Sequence, residues 1–133
     1  MSYAAERMDE TPQGELAIRT LALPKDTNAN GDIFGGWLLA QMDIAGATVA
    51  IARAHGRVVT VALDAMVFLK PVFVGDGVTC YGTIVRVGRT SLQVKVEAWA
   101  RRGRGTTEEK VTEGVFTYVA VDEARRPRPV PRE

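Results

Sequence analysis

With 133 residues, 46% of them hydrophobic and 25% charged, the chain is long enough to bury a real core and most simply forms one soluble globular domain. Seventeen basic residues against sixteen acidic ones leave a formal charge of +1, which gives no electrostatic reason to expect nucleic acid as the main partner. The single cysteine, Cys80, excludes an internal disulfide and suits a reducing compartment.

Residues 1–14 read as a polar, loosely held lead-in that ends at Pro12 and Gly14. Glu6, Arg7, Asp9 and Glu10 leave no apolar run for a secretory signal there, so a cytoplasmic location is expected. "ELAIRTLAL" (15–23) is a predicted strand stopped by Pro24, and "KDTNANGD" (25–32) is a loop of residues that tolerate left-handed turns. Asp32 or a neighbour is placed to cap a long helix over about 35–54, which ends near Gly56. The longest apolar stretch, 33–52, contains Gln41, Asp43 and three glycines, which makes it a poor membrane span.

Beyond the helix the hydrophobic period changes to two. In "VVTVALDAMVFL" (58–69) the odd positions Val59, Val61, Leu63, Ala65, Val67 and Leu69 form the expected core face. The even positions mix Thr60, Ala62 and Asp64 with Met66 and Phe68, a face suited to water or a partner subunit. Pro71 and "VGDG" make a turn. "VTCYGTIVRV" (78–87) and "SLQVKVEAWA" (91–100) are two strands joined at "GRT", and Leu92, Val94, Val96, Ala98 and Ala100 alternate along the second. "RRGRGTTEE" (101–109) reads as a solvated polar loop, with phosphate binding by its arginines as the minor alternative, and "KVTEGVFTYVAV" (110–121) is the last strand. The tail, 122–133, is rich in Pro and Arg and extended.

One strand, one long helix and then four strands in antiparallel meander order predict an α+β fold, a single domain over 15–121 in which the helix faces a sheet of about five strands. Ala40, Ala45, Gly46, Ala47 and Ala50 let helix and sheet approach closely. Gly46 costs about 1 kcal/mol against alanine in a helix, to be offset by close packing or by room for a ligand.

Asp43 is the anomaly. On the helix it shares a face with Leu39, Ala40, Gly46 and Ala47 instead of lying on a solvated stripe. It is a partly exposed residue at an oligomer seam, or one neutralised by a nearby arginine, or a poised general base or nucleophile. Gly35 and Gly36 fall in the first helical turn, where unpaired N–H groups and the dipole stabilise a developing oxyanion; a plain flexible turn is the competing reading. Asn28 and Asn30 fit a left-handed loop or a hydrogen bond to a water or carbonyl, and His55 fits a contact with the carbonyls at the helix end. The chain has no Cys/His cluster for zinc, no P-loop, no GxGxxG and no GxSxG.

These residues carry a resemblance. "RTLALPKDTNANGDIFGGWLLAQMDIAGA" and "AHGRVVTVALDAMVFLKPVFVGD", continued by "VGRTSLQVKVEAW" and "FTYVAVD", closely resemble the YciA-type acyl-CoA thioester hydrolases of the hotdog-fold superfamily, over roughly residues 15–131. The resemblance implies a hotdog fold: a curved antiparallel sheet wrapped around the helix. It implies side-by-side dimers that join two sheets, and a trimer of those dimers. It also implies that Asp43 is the catalytic carboxylate, that Asn28 faces it across the subunit boundary, and that Gly35 and Gly36 polarise the thioester carbonyl. His55, Gly56 and Arg57, with Gly88, Arg89, Thr90 and Ser91, resemble the segments lining the CoA channel. No cofactor is implied, CoA being part of the substrate, and neither nucleic acid nor membrane is an expected partner. Two rivals remain: a non-catalytic acyl-CoA or acyl-carrier binding hotdog, which has no need of Asp43, and a hotdog dehydratase, which needs a histidine placed better than His55.

Overall fold

The computed structural model describes residues 11–103 and 105–133, so most of the expected lead-in, and Arg104, lie outside the described residues. The elements in chain order are β1 (Glu15–Leu21), a 3-10 turn (Pro24–Asp26), α1 (Gly35–Ala54), β2 (Val58–Phe68), β3 (Gly77–Val87), β4 (Ser91–Arg101) and β5 (Glu108–Ala120). The strands form one antiparallel sheet in the order β1-β3-β4-β5-β2, and α1 packs on all five.

The predicted meander therefore holds only for β3, β4 and β5; β2 pairs with β5, not with β3. The helix is the crossover: it follows one edge strand, β1, precedes the other, β2, and packs on every strand between them.

The core forms where apolar periods meet. Leu92, Val94, Val96, Ala98 and Ala100 of β4 are fully buried against Met42, Ala45 and Ala50 of α1. Gly82 of β3 admits the helix, because a Cβ there would stand 2.9 Å from Val49 Cγ2. On the opposite face of β4, Glu97 is 1% exposed and accepts hydrogen bonds from Trp99 Nε1 (2.9 Å) and the Gln13 N–H (3.1 Å). Its other oxygen faces Lys110 Nζ at 3.4 Å, the pairing a buried carboxylate requires.

β2 departs from its predicted alternation. Val59, Val61, Leu63 and Val67, the expected core face, are 38–55% exposed, whereas Val58 and Met66 are the β2 residues that pack on the core. Register shifts between Thr60 and Ala62 and between Asp64 and Val67, with Ala65 at φ 50°, break the two-residue period. Phe68 is 54% exposed, as the even face suggested.

By length and its mean hydropathy of 1.2, α1 would pass as a membrane span. It serves instead as the core helix, burying Leu38, Met42, Ala45, Gly46, Val49, Ala50 and Ala54 against the sheet.

Candidate active site

Asp43 sits half-buried in the middle of α1. Its Oδ1 accepts two hydroxyls: Thr60 Oγ1 of β2 at 2.8 Å and Tyr118 Oη of β5 at 3.0 Å. The same phenol reaches the Asp43 main-chain oxygen at 2.9 Å, so its single proton is shared between the two acceptors. Tyr118 is fully buried. Burial first, then the Asp43 charge and its hydrogen bond, hold the phenol well above the ordinary tyrosine range, so it stays a protonated donor.

Gly46 makes this contact possible. A Cβ at position 46 would stand 2.3 Å from Tyr118 Oη and 3.1 Å from Val96 Cγ2. Its helical cost of about 1 kcal/mol is thus offset by close packing beside the carboxylate. Tyr118 escaped sequence reasoning because it looks like one more apolar strand position; only the glycine one turn from an unexplained aspartate hinted that a bulky neighbour was there.

The other predicted residues fall into two groups. At the N-terminal end of α1, Asn28 Oδ1 accepts the N–H groups of Asn30 (2.9 Å) and Asp32 (3.1 Å), which shapes the "NANGD" loop. A Thr27–Ile33 bridge and a Phe34 N–H to Asp26 O bond (3.0 Å) close that loop onto the helix. The N-cap is Phe34, with no side-chain hydrogen bond, so the expected cap by Asp32 or a neighbour is corrected: that loop closes through backbone pairing instead. Gly35 and Gly36 form the first turn of the helix, directly after the loop that Asn28 shapes. Gly36 and Asp43 are separated by roughly 10 Å of helix axis.

At the C-terminal end, His55 takes the left-handed C-cap conformation (φ 55°), and its N–H bonds Ile51 O. Its Nε2 pairs with Glu133 of the tail. The tail turns at Asp122, whose Oδ1 accepts the N–H groups of Ala124 and Arg126 (2.8 and 2.9 Å), and then runs across the helix end. Arg128 donates to Ala54 O (3.0 Å), Arg53 to Pro131 O (2.6 Å), and the Val130 N–H to Arg89 O (2.8 Å). Gly56 leaves the space for this, since a Cβ there would meet Arg128 Nη2 at 2.7 Å. Gly88, Arg89 and Thr90 form the β3–β4 turn, closed by the Gly88 N–H on Ser91 O at 2.8 Å.

Between these parts lies a cavity of about 770 Å³, lined by Arg53, Gly88, Arg89, Val130, Arg132 and Glu133 among others. That volume is in the range of small-molecule sites. The structure thus joins "GRT" to the helix end through the tail, whereas Arg57 is exposed and does not line the cavity. Arg102, expected in a solvated loop, is an organised structural cation. It pairs with Asp76 and with Glu109 (2.8 Å), donates to Pro71 O (2.9 Å) and lies over the Phe73 ring.

A sheet wrapped on one apolar helix, with a single held carboxylate at the helix centre, defines the class. Residues 30–107 match the thioesterase superfamily. The chain belongs to that superfamily of hotdog-fold thioesterases, among the YciA-type acyl-CoA thioester hydrolases. It is 56% identical to acyl-CoA thioester hydrolase YciA of Salmonella typhimurium, over 93% of this chain and 96% of that one. It superimposes on a hexameric thioesterase of Yersinia pestis with a TM-score of 0.89 at 55% identity, covering 92% of this chain and 100% of the other. A hexameric broad-specificity acyl-coenzyme A thioesterase, solved with one aspartate replaced by alanine, gives 0.88 at 53% identity over 91% and 89% of the two chains.

Proposed function

We propose that this acyl-CoA thioester hydrolase works through Asp43. A thioester and water give a carboxylic acid and free CoA thiol. Asp43 Oδ2, which has no hydrogen-bond partner among the described residues, either takes a proton from the attacking water or attacks the carbonyl itself. Either route begins at that one oxygen. Thiolate is a good leaving group, so the scheme needs no strong general acid and draws on no resident cofactor.

The observation that carries this reading is the environment of Asp43. A carboxylate half out of water on an apolar helix is held by two hydroxyls on one oxygen and none on the other. A non-catalytic binding module has no use for that arrangement, and His55, tied to Glu133, is not placed for dehydration.

The oxyanion donors are assigned to Gly35 and Gly36, and Asn28 to the same end of the site. About 10 Å separates Gly36 from Asp43 within one chain. A site that takes Asp43 from one subunit and the Asn28–Gly36 segment from its partner closes that gap. The exposed apolar residues of β2 support such a pairing: Val61, Val67 and Phe68 are 43–55% exposed along an edge strand. We assign the assembly as a trimer of dimers joined through β2. The cavity at Arg53 and Arg89 receives the phosphates of the CoA nucleotide.

Asp43→Asn keeps the size and removes the charge. It should leave folding and CoA binding intact and lower kcat by roughly 10²–10⁴, measured by thiol release from acyl-CoA. Hydrolysis at the wild-type rate would return Asp43 to a seam residue.

A further inference from the structure

We infer that Tyr118, seconded by Thr60, is the positioning residue for Asp43, fixing its Oδ1 so that Oδ2 alone is presented to the reacting carbonyl; the inference rests on the reading of Asp43 above. A carboxylate free to rotate offers its reactive oxygen in many directions, and misplacement by an ångström is costly to a reaction that depends on orientation. Here two donors from two strands, at 2.8 and 3.0 Å, converge on one oxygen. Strands do not drift as loops do, and Tyr118 has no exposed surface. The second contact of the phenol, to the Asp43 main-chain oxygen at 2.9 Å, ties the same ring to the helix at that residue.

The arrangement is built at several places in the chain. Gly46 is the only side chain size that admits the phenol, since any Cβ would lie 2.3 Å from its oxygen. The same Cβ would also meet Val96 Cγ2 at 3.1 Å. A tyrosine needed only to fill the core would be served by phenylalanine, and no glycine would be required in the helix opposite. The phenol oxygen is there for the aspartate.

Tyr118→Phe keeps the ring and deletes the donor. The expected result is a fall in kcat of about ten-fold or more, from loss of a hydrogen bond to a charged group, with KM within about two-fold of wild type. Thr60→Val should lower kcat in the same way, and Thr60→Ser, which restores a hydroxyl, should recover it. The decisive measurement is Tyr118→Phe in an Asp43→Ala background. There the phenol keeps its main-chain acceptor, so a purely structural loss would persist. A positioning loss would vanish, leaving single and double variants equally slow. Persistence of the full loss in the double variant, or wild-type kcat in Tyr118→Phe, would overturn the inference while leaving Asp43→Asn to judge the carboxylate separately. Gly46→Ala supplies an independent arm: it should reproduce the kcat loss of Tyr118→Phe by displacing the phenol, and unchanged kcat in folded Gly46→Ala protein would also count against the assignment.

Discussion

An ionised carboxylate brought half out of water needs donors, and the sequence displayed the need without the answer. Asp43 stands out among its helical neighbours by pattern alone, whereas its partner Tyr118 is 75 residues away and becomes adjacent only when β5 packs on α1. Cys80 shows the opposite case, a residue whose chemistry is silenced by the fold. Fully buried in β3, its thiol is pushed by burial from an ordinary 9.0 up to about 12. The native state thus holds the thiol proton while the unfolded chain releases it. Stability from this group is intact below pH 9.0 and declines as pH rises from there toward about 12. Chemical denaturation across that window should fall less steeply for Cys80→Ala than for wild type, and native Cys80 should resist thiol reagents until the chain unfolds. Parallel stability curves for the two proteins would contradict this.

At the scale of elements, the β3–β4 turn, the end of α1 and the tail act as one unit. Sequence reading placed "HGR" and "GRTS" in a common channel by resemblance, but it left the tail without a role. The tail is held by Arg128 on Ala54 O, Arg53 on Pro131 O and Val130 on Arg89 O, and it forms one wall of the cavity. Arg89→Ala should raise KM for acyl-CoA more than it lowers kcat, by about ten-fold if a charge-assisted phosphate bond of roughly 1.5–3 kcal/mol is lost. The same variant should hydrolyse an acyl-pantetheine thioester, which has no nucleotide, as wild type does. Equal losses on both substrates would place Arg89 outside the nucleotide site. Truncation after Arg128 should behave like Arg89→Ala in this comparison, because it removes the cavity wall and leaves Asp43 untouched.

At the scale of the molecule, β2 carries the apolar surface that the proposed partner subunit would cover. Strand alternation failed there because two bulges and an edge position replaced the simple rule, leaving apolar side chains exposed on a strand with one free edge. Light scattering should therefore give an oligomer, and a charge on the β2 surface, as in Val61→Glu, should dissociate it with loss of activity. A monomer with full activity would refute the shared site. Mixing inactive Asp43→Asn and Asn28→Ala proteins should restore part of the activity by subunit exchange, because a mixed dimer gathers both changes in one site and leaves the other whole. No recovery after demonstrated exchange would place the two residues in the same subunit's site.

By itself the sequence determined the helix over Gly35–Ala54, the strands and their approximate ends, and the carboxylate set in the helix, because each is written in a local period of 3.6 or 2 or in a turn residue. Only the tertiary structure decided that β2 lies beside β5, that the tail walls a cavity, and that Tyr118 meets Asp43 through the space left by Gly46. Those outcomes depend on contacts between residues far apart in the chain, which local periodicity does not encode.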